Sequence, residues 1–393
     1  MNKRNIFIFR AIIYSSLIFV WTSIFLSFMR NRPEPYYSSF RNIYLRLRNK
    51  DLKANIQNNK NKYNQVDFID LENKEDFIKK RAELNKFIYG ERREQKEHIV
   101  NIKDNITDSK FNEKIFVNGI NKLTFIRNNG INSIAYHFKA KNSINKLLVF
   151  HEGIRGNYLK KNQLGNFVVS KRQIKFFLSK GYDVLAISLP TLGLNPKPIV
   201  NIKNIGKVKI DAPYKISLID QDDGSHFLRY FIEPVSELLD FTLTHNKFDD
   251  VAMIGIGSGG WVTTLAAASD LRIKKSFSVS GTLPIALLNK DFGKSNANYF
   301  EYVPSFYLRF NYLDLYLLSA HGINRSHNQI YIINDPRRFS GEAYKLYADD
   351  LKKMAKNLPN TEFDFYKDSS TFENNISKES LEFIYQKLLN TEN

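Results

Sequence analysis

At 393 residues the chain exceeds one average domain, and its 43% hydrophobic and 14% aromatic content supplies a sizeable core, which excludes wholesale disorder. It has no cysteine, which excludes disulfides, Cys-ligated zinc and thiol nucleophiles. The formal net charge of +18 is spread over lysines scattered among Asn, Asp and Glu, without a basic stripe interleaved with aromatics, so no nucleic-acid partner is expected.

An apolar run free of charged residues extends from Ala11 to Met29, long enough for one helical crossing of a bilayer. It does not close on a small-x-small cleavage site, so residues 1–30 are expected to be an uncleaved N-terminal transmembrane helix, with the membrane as partner through residues 11–29. The short basic tail before the run places the soluble domain of this single-pass protein outside the cytoplasm, in a periplasm, although arginines on both flanks leave the positive-inside rule nearly silent. Residues 31–113 are rich in Asn, Lys and Glu and read as a polar, partly helical linker or packing segment. Within it Phe77, Leu84, Phe87 and Ile88 share one face at helical spacing and predict an amphipathic helix docked on the following domain.

Residues 114–393 alternate short apolar strands with amphipathic helices. Strands are expected at Ile115–Val117, Ser133–Phe138, Leu147–Phe150, Val184–Ser188, Val251–Ile254, Lys275–Val279, Gln329–Ile333 and Glu362–Tyr366. Helices are expected at Arg172–Lys180, His226–Thr244, Trp261–Ala268, Glu342–Asn357 and Lys378–Leu389. This is the pattern of an α/β fold, a mostly parallel twisted sheet of about eight strands with helices on both faces. Two insertions after strands, Thr191–Gln221 and the aromatic-rich Gly293–Gly322, are expected to roof the site, the second covering a pocket for an apolar small-molecule ligand.

The most informative residues run from Val251 through Gly255-Ile-Gly257-Ser258-Gly259-Gly260-Trp261 into Thr-Thr-Leu-Ala-Ala-Ala: a strand, a glycine-packed turn and a helix of small residues. Gly255, Gly257 and Gly260 satisfy the spacing of a dinucleotide fingerprint, but the next strand, Lys275-Ser-Phe-Ser-Val-Ser-Gly, ends without the carboxylate that would hold a ribose. The turn, its tryptophan and the small-residue helix resemble the α/β-hydrolase fold, in particular members whose nucleophile elbow reads G-x-S-G-G-G-W. Further landmarks follow in order from about Ile115 to Leu389: His151-Glu152-Gly153 resembles the oxyanion loop, and Asn334-Asp335-Pro the acid-bearing loop.

Carried over residue by residue, the resemblance puts Gly257 at the nucleophile position, Ser258 one place late, Asp335 at the acid and Asn374 where the base histidine belongs, with no histidine anywhere beyond His327. His151, Glu152, Gly153 and Gly259 would line the oxyanion or pocket region. The pattern implies a membrane-anchored protein with a degenerate triad, a non-catalytic binding or scaffolding protein. The alternatives are an ester- or acyl-cleaving serine hydrolase using Ser258 and Asp335, and nucleotide binding by the glycine turn. No cofactor and no metal are expected, and no protein partner can be named.

Overall fold

The computed structural model describes residues 69–90, 99–106, 117–154, 171–219, 224–288, 297–335 and 338–389. The chain divides into Met1–Asp51 and Leu52–Asn393. The expected anchor at residues 11–29 lies outside the described residues. Among those described, no helix is long and apolar enough to cross a membrane.

Nine strands form one twisted sheet. They are β1 (Ile99–Lys103), β2 (Val117–Ile126), β3 (Ser133–Ala140), β4 (Lys146–Glu152), β5 (Asp183–Ser188), β8 (Asp250–Ile256), β9 (Lys275–Val279), β10 (Ser326–Ile332) and β11 (Glu362–Asp368), in the order β1-β2-β3-β5-β4-β8-β9-β10-β11. The first three strands zigzag antiparallel, and β3 also meets β5 antiparallel. From β5 across to β11 every neighbour is parallel. A separate hairpin, β6 (Ile199–Ile202) with β7 (Gly206–Lys209), lies within the first insertion.

The parallel strands inside the sheet are buried on both faces, unlike the half-buried edge strand β11, and their side chains alternate between two cores as the pleat requires. Leu147 and Val149 of β4 join one cluster, Leu148 and Phe150 the other. The larger core is covered by α1 (Lys74–Tyr89), α3 (Arg229–His245), α4 (Ser258–Ser269), α6 (Tyr312–Ala320) and α7 (Ala348–Asn357). The smaller is covered by α2 (Lys171–Ser179) and α8 (Lys378–Leu389).

Seven of the eight expected strands are present, and of the one expected at Ile115–Val117 only Val117, the first residue of β2, lies within the described residues; there are three further corrections to the count and extents. The sheet gains β1, and β2 runs on through the polar Asn-Gly-Ile-Asn-Lys stretch, where no alternation advertises a strand. The strand expected from Gln329 begins at Ser326, because Ser326, His327 and Asn328 are buried polar residues that periodicity counts as loop. The helix expected in the packing segment exists, and Phe77, Leu84 and Ile88 reach the larger core.

The aromatic insertion departs most from expectation as a cover. Its α6 is buried along its whole length, Ser319 Oγ donates to Thr264 O of α4 (2.9 Å), and the helix belongs to the core. A single turn, α5 (Pro304–Tyr307), precedes it.

Candidate functional site

The candidate site lies at the C-terminal edge of the parallel strands, where β8, β10 and β11 deliver Gly257, Asp335 and Asn374. Between β8 and α4 the chain turns at Gly257, the N-cap, with φ +57° and ψ −127°. A side chain here strains the backbone, which glycine avoids. The turn is pinned: Gly257 N–H donates to Val279 O (2.9 Å), and Gly257 O accepts from Trp261 N–H (3.1 Å).

The neighbouring glycines are required by close approach. A Cβ on Gly153 would lie 2.0 Å from Ile256 O and 2.8 Å from the nitrogens of Ser258 and Gly259, and one on Gly259 would lie 2.2 Å from His151 O. The exit of β4 therefore sits backbone to backbone against the first turn of α4, whose N–H groups carry the positive end of the helix dipole. His151 is buried and its Nδ1 lies 3.2 Å from Glu152 O. Burial pushes its pKa down to about 3, so at neutral pH it is an uncharged imidazole. Glu152 is also buried.

Ser258 is buried as the first residue of α4, and its Oγ accepts from Asn298 Nδ2 (2.9 Å) and Arg338 Nη1 (3.1 Å). Both partners are donors, the opposite of what activating a serine demands. Among the described residues no histidine hydrogen-bonds to Ser258, whose partners are Asn298 and Arg338. His137 pairs with Asp183, His226 with Ser305, His321 with Thr361 and His327 with Ser276, while His151 and His245 meet backbone carbonyls.

The His226–Ser305 contact, Nε2 to Oγ at 3.1 Å, is not a nucleophile–base pair. His226 Nδ1 accepts from Leu228 N–H (3.3 Å), so in the neutral ring Nε2 carries the proton and donates to the serine.

Arg338 is the feature that sequence reasoning missed. Its guanidinium is buried and meets five acceptors: Ser280 O from Nε (3.3 Å), Ser258 Oγ and Glu301 Oε1 from Nη1 (3.1 and 3.0 Å), and Gly281 O and Glu301 Oε2 from Nη2 (3.2 and 2.8 Å). Five N–H groups thus have five partners. Asn298 N–H and Nδ2 add donors to the same carboxylate (2.9 and 3.0 Å). Through Asn298 and Glu301 the aromatic insertion is bound directly to the elbow. Trp261 Nε1 reinforces this by donating to Tyr307 OH (2.6 Å), which also receives Tyr312 OH (2.9 Å).

Asp335 is fully buried, its Oδ1 accepts from Arg338 N–H (3.1 Å), and its Oδ2 from Asn374 Nδ2 (2.6 Å). A Cβ built on Gly257 would stand 3.5 Å from Arg338 Cδ and 3.9 Å from Asn374 Oδ1. Gly257, Asn374 and Asp335 therefore follow one another in space, whereas Ser258 faces the Asn298–Arg338 side. Among the described residues no group of three or more His, Asp or Glu could hold a metal ion.

No family model matches the chain, and no curated protein matches it. Solved structures do. Acetyl xylan esterase 1 from Thermoanaerobacterium sp. is 14% identical with a TM-score of 0.50, covering 80% of this chain and 93% of its own. A glucuronoyl esterase from Solibacter usitatus is 12% identical with a TM-score of 0.51, covering 80% and 91%. At such identity the likeness speaks for fold: with its parallel sheet, flanking helices and strand–turn–helix at Gly257, the chain has an α/β-hydrolase-like fold.

Proposed function

We propose that this chain is an α/β-hydrolase-fold binding protein that has kept the shape of a catalytic elbow without its serine chemistry. The observation that carries this reading is the trio itself: Gly257 occupies the strained turn, and the residue opposite it, tied to Asp335, is Asn374. A glycine offers no nucleophile, and an asparagine amide does not accept a proton near neutral pH. Membrane attachment through residues 11–29, with the folded unit outside the cytoplasm, completes the proposal and rests on sequence alone. A scaffolding role is compatible with the same site.

A second reading, ester cleavage, draws support from the names of the similar structures, an acetyl xylan esterase and a glucuronoyl esterase. It needs a nucleophile, and Ser258 is the candidate at hand, held by a guanidinium and an amide. Nucleotide binding has less support, since β9 ends in Val279-Ser280-Gly281 without a ribose-binding carboxylate.

Labelling the full chain with a fluorophosphonate probe separates the first two readings. The non-catalytic reading predicts no labelling above a heat-denatured control. Labelling lost in Ser258→Ala would put the ester-cleaving reading first.

A further inference from the structure

The turn between β2 and β3 lies at the C-terminal end of β5, because Ala135 pairs with Ile187. Pro198 packs there against Gly130, where an added Cβ would be 3.3 Å from the Cβ of Pro198, so the hairpin β6–β7 stands on the same edge of the sheet as Gly257. The two faces of the hairpin differ as the pleat requires. Val200, Ile202 and Ile210 are buried in the larger core, which holds the hairpin to the domain. The opposite face is open to solvent, with Ile199 paired to Lys209 and Asn201 to Lys207. Ile205 N–H donates to Ile202 O (3.1 Å), and Asn204 and Gly206 take φ of +62° and +93°, so a tight turn fixes Lys203, Asn204 and Ile205 at the tip.

Exposed apolar residues scattered singly need no partner, but here Ile199, Ile205 and Tyr214, 67%, 59% and 59% exposed, share one short stretch with lysines. From Lys197 to Leu218 the chain has five lysines and one acidic residue, Asp211, which pairs with Lys215 (2.7 Å). Lys203, Lys207 and Lys209 make no ion pair among the described residues. Charge alone suits a soluble polyanion, and apolar side chains alone suit another protein face. Mixed on one rigid surface they suit an anionic bilayer, where ammonium groups meet headgroup phosphates and apolar tips enter the acyl boundary. No aromatic ring lies between Lys197 and Ala212, so nucleic-acid bases find nothing to stack on along the hairpin.

We propose that the outer face and tip of β6–β7 dock on a membrane surface containing anionic lipids, with the lysines on the headgroups and Ile199 and Ile205 in the bilayer interface. Docking turns the edge that carries Gly257 towards the lipid. This contact goes beyond the non-catalytic reading, and it is separate from the anchor proposed at residues 11–29, which it does not need.

The chain has no cysteine, so Asn201→Cys in the full chain gives a single attachment point on the outer face for an environment-sensitive nitrobenzoxadiazole dye. The labelled protein is mixed with vesicles of phosphatidylcholine, alone or with about 30% phosphatidylserine, at low salt and at about 0.5 M NaCl. Emission is expected to rise and shift to the blue with the anionic vesicles at low salt, and to fall back at high salt. Lys203→Gln, Lys207→Gln and Lys209→Gln together should lower the docking equilibrium about a hundredfold, at about fivefold per lysine. Ile199→Ser with Ile205→Ser should lower it at least about tenfold. All five positions are exposed, so both variants are expected to fold. A dye at Ile323→Cys, at the N-terminal edge of β10, should not respond. Equal emission with neutral and anionic vesicles, an unchanged response in either variant, or an equal response to heparin without lipid overturns the proposal. A response that follows protein concentration instead of lipid would assign the face to a second copy of the chain and overturn it too. Failure of the anchor is read separately by carbonate extraction, and failure of the non-catalytic reading by fluorophosphonate labelling, so the three are distinguishable.

Discussion

Gly257 and Arg338 divide the turn between them: one leaves the strained position without a side chain, and the other places its buried guanidinium Nε 3.8 Å from where a Cβ would be. The Arg338–Glu301 pair is sealed from water on both partners. Removing one charge leaves the other buried and unpaired, which is costly. Glu301→Gln should therefore lower unfolding free energy by about 3 to 5 kcal/mol in denaturant titrations, and Glu301→Leu combined with Arg338→Met should recover most of that loss. Buried histidines add a pH term. His151 and His327 have pKa values pushed down to about 3 by burial, below the ordinary 6.5, so the unfolded chain binds their protons first. Their stabilisation is full above pH 6.5 and is lost as pH falls towards 3, by about 1.4 kcal/mol per pH unit for each ring. His327→Asn, compared with wild type at pH 7.5 and 5, should flatten that fall by one ring's share. The spacing of the glycines before Trp261 made a strand–turn–helix at Gly257 legible in the sequence. The Arg338–Glu301–Asn298 cluster was not, because its members are up to 40 positions apart and a buried ion pair leaves no periodic trace.

Among the elements, α4 explains why so many glycines gather in one stretch. All twelve of its residues are buried, and its first turn approaches β4 backbone to backbone at Gly259. Gly259→Ala must displace His151 O from 2.2 Å, so it should cost at least about 3 kcal/mol in unfolding free energy. Gly257→Ala meets no clash and should cost only the strain of its backbone, about 1 to 2 kcal/mol. Equal costs at the two positions would contradict this division between close approach and conformation. At its other end α4 shares a clamp with α6: Arg81 of α1 donates to Ala268 O (3.0 Å) and Leu318 O (2.6 Å), and Arg325 to Ala267 O and Ser319 O (2.5 and 3.1 Å). Hydrogen exchange should accordingly find α6 amides protected to the level of β8 and β9, whereas a cover that opens would exchange much faster. The sequence suggested such a cover because its Tyr, Phe and Leu lie between strands without a clean helical stripe. A helix apolar all round is buried on every side, so it has no stripe to show.

At the scale of the whole molecule, the parallel strands and their helices were readable because burial on both faces forces continuous apolar runs, as in Leu147–Phe150 and Val184–Ile187. The antiparallel edge was harder to read. β1 and much of β2 carry Asn and Lys where one face meets water. The fold delivers three loops to one edge of the sheet, and the proposed loss of catalysis turns on what those loops carry together: a nucleophile and a base act as a unit, and Gly257 and Asn374 are proposed to stand in their places. Hydrolysis of p-nitrophenyl acetate by wild type, Gly257→Ser, Asn374→His and the double variant tests it most directly. The account predicts background rates for the first three and turnover only in the double variant, where a serine oxygen at 257 faces an imidazole held by Asp335. Wild-type turnover that disappears in Ser258→Ala would contradict it.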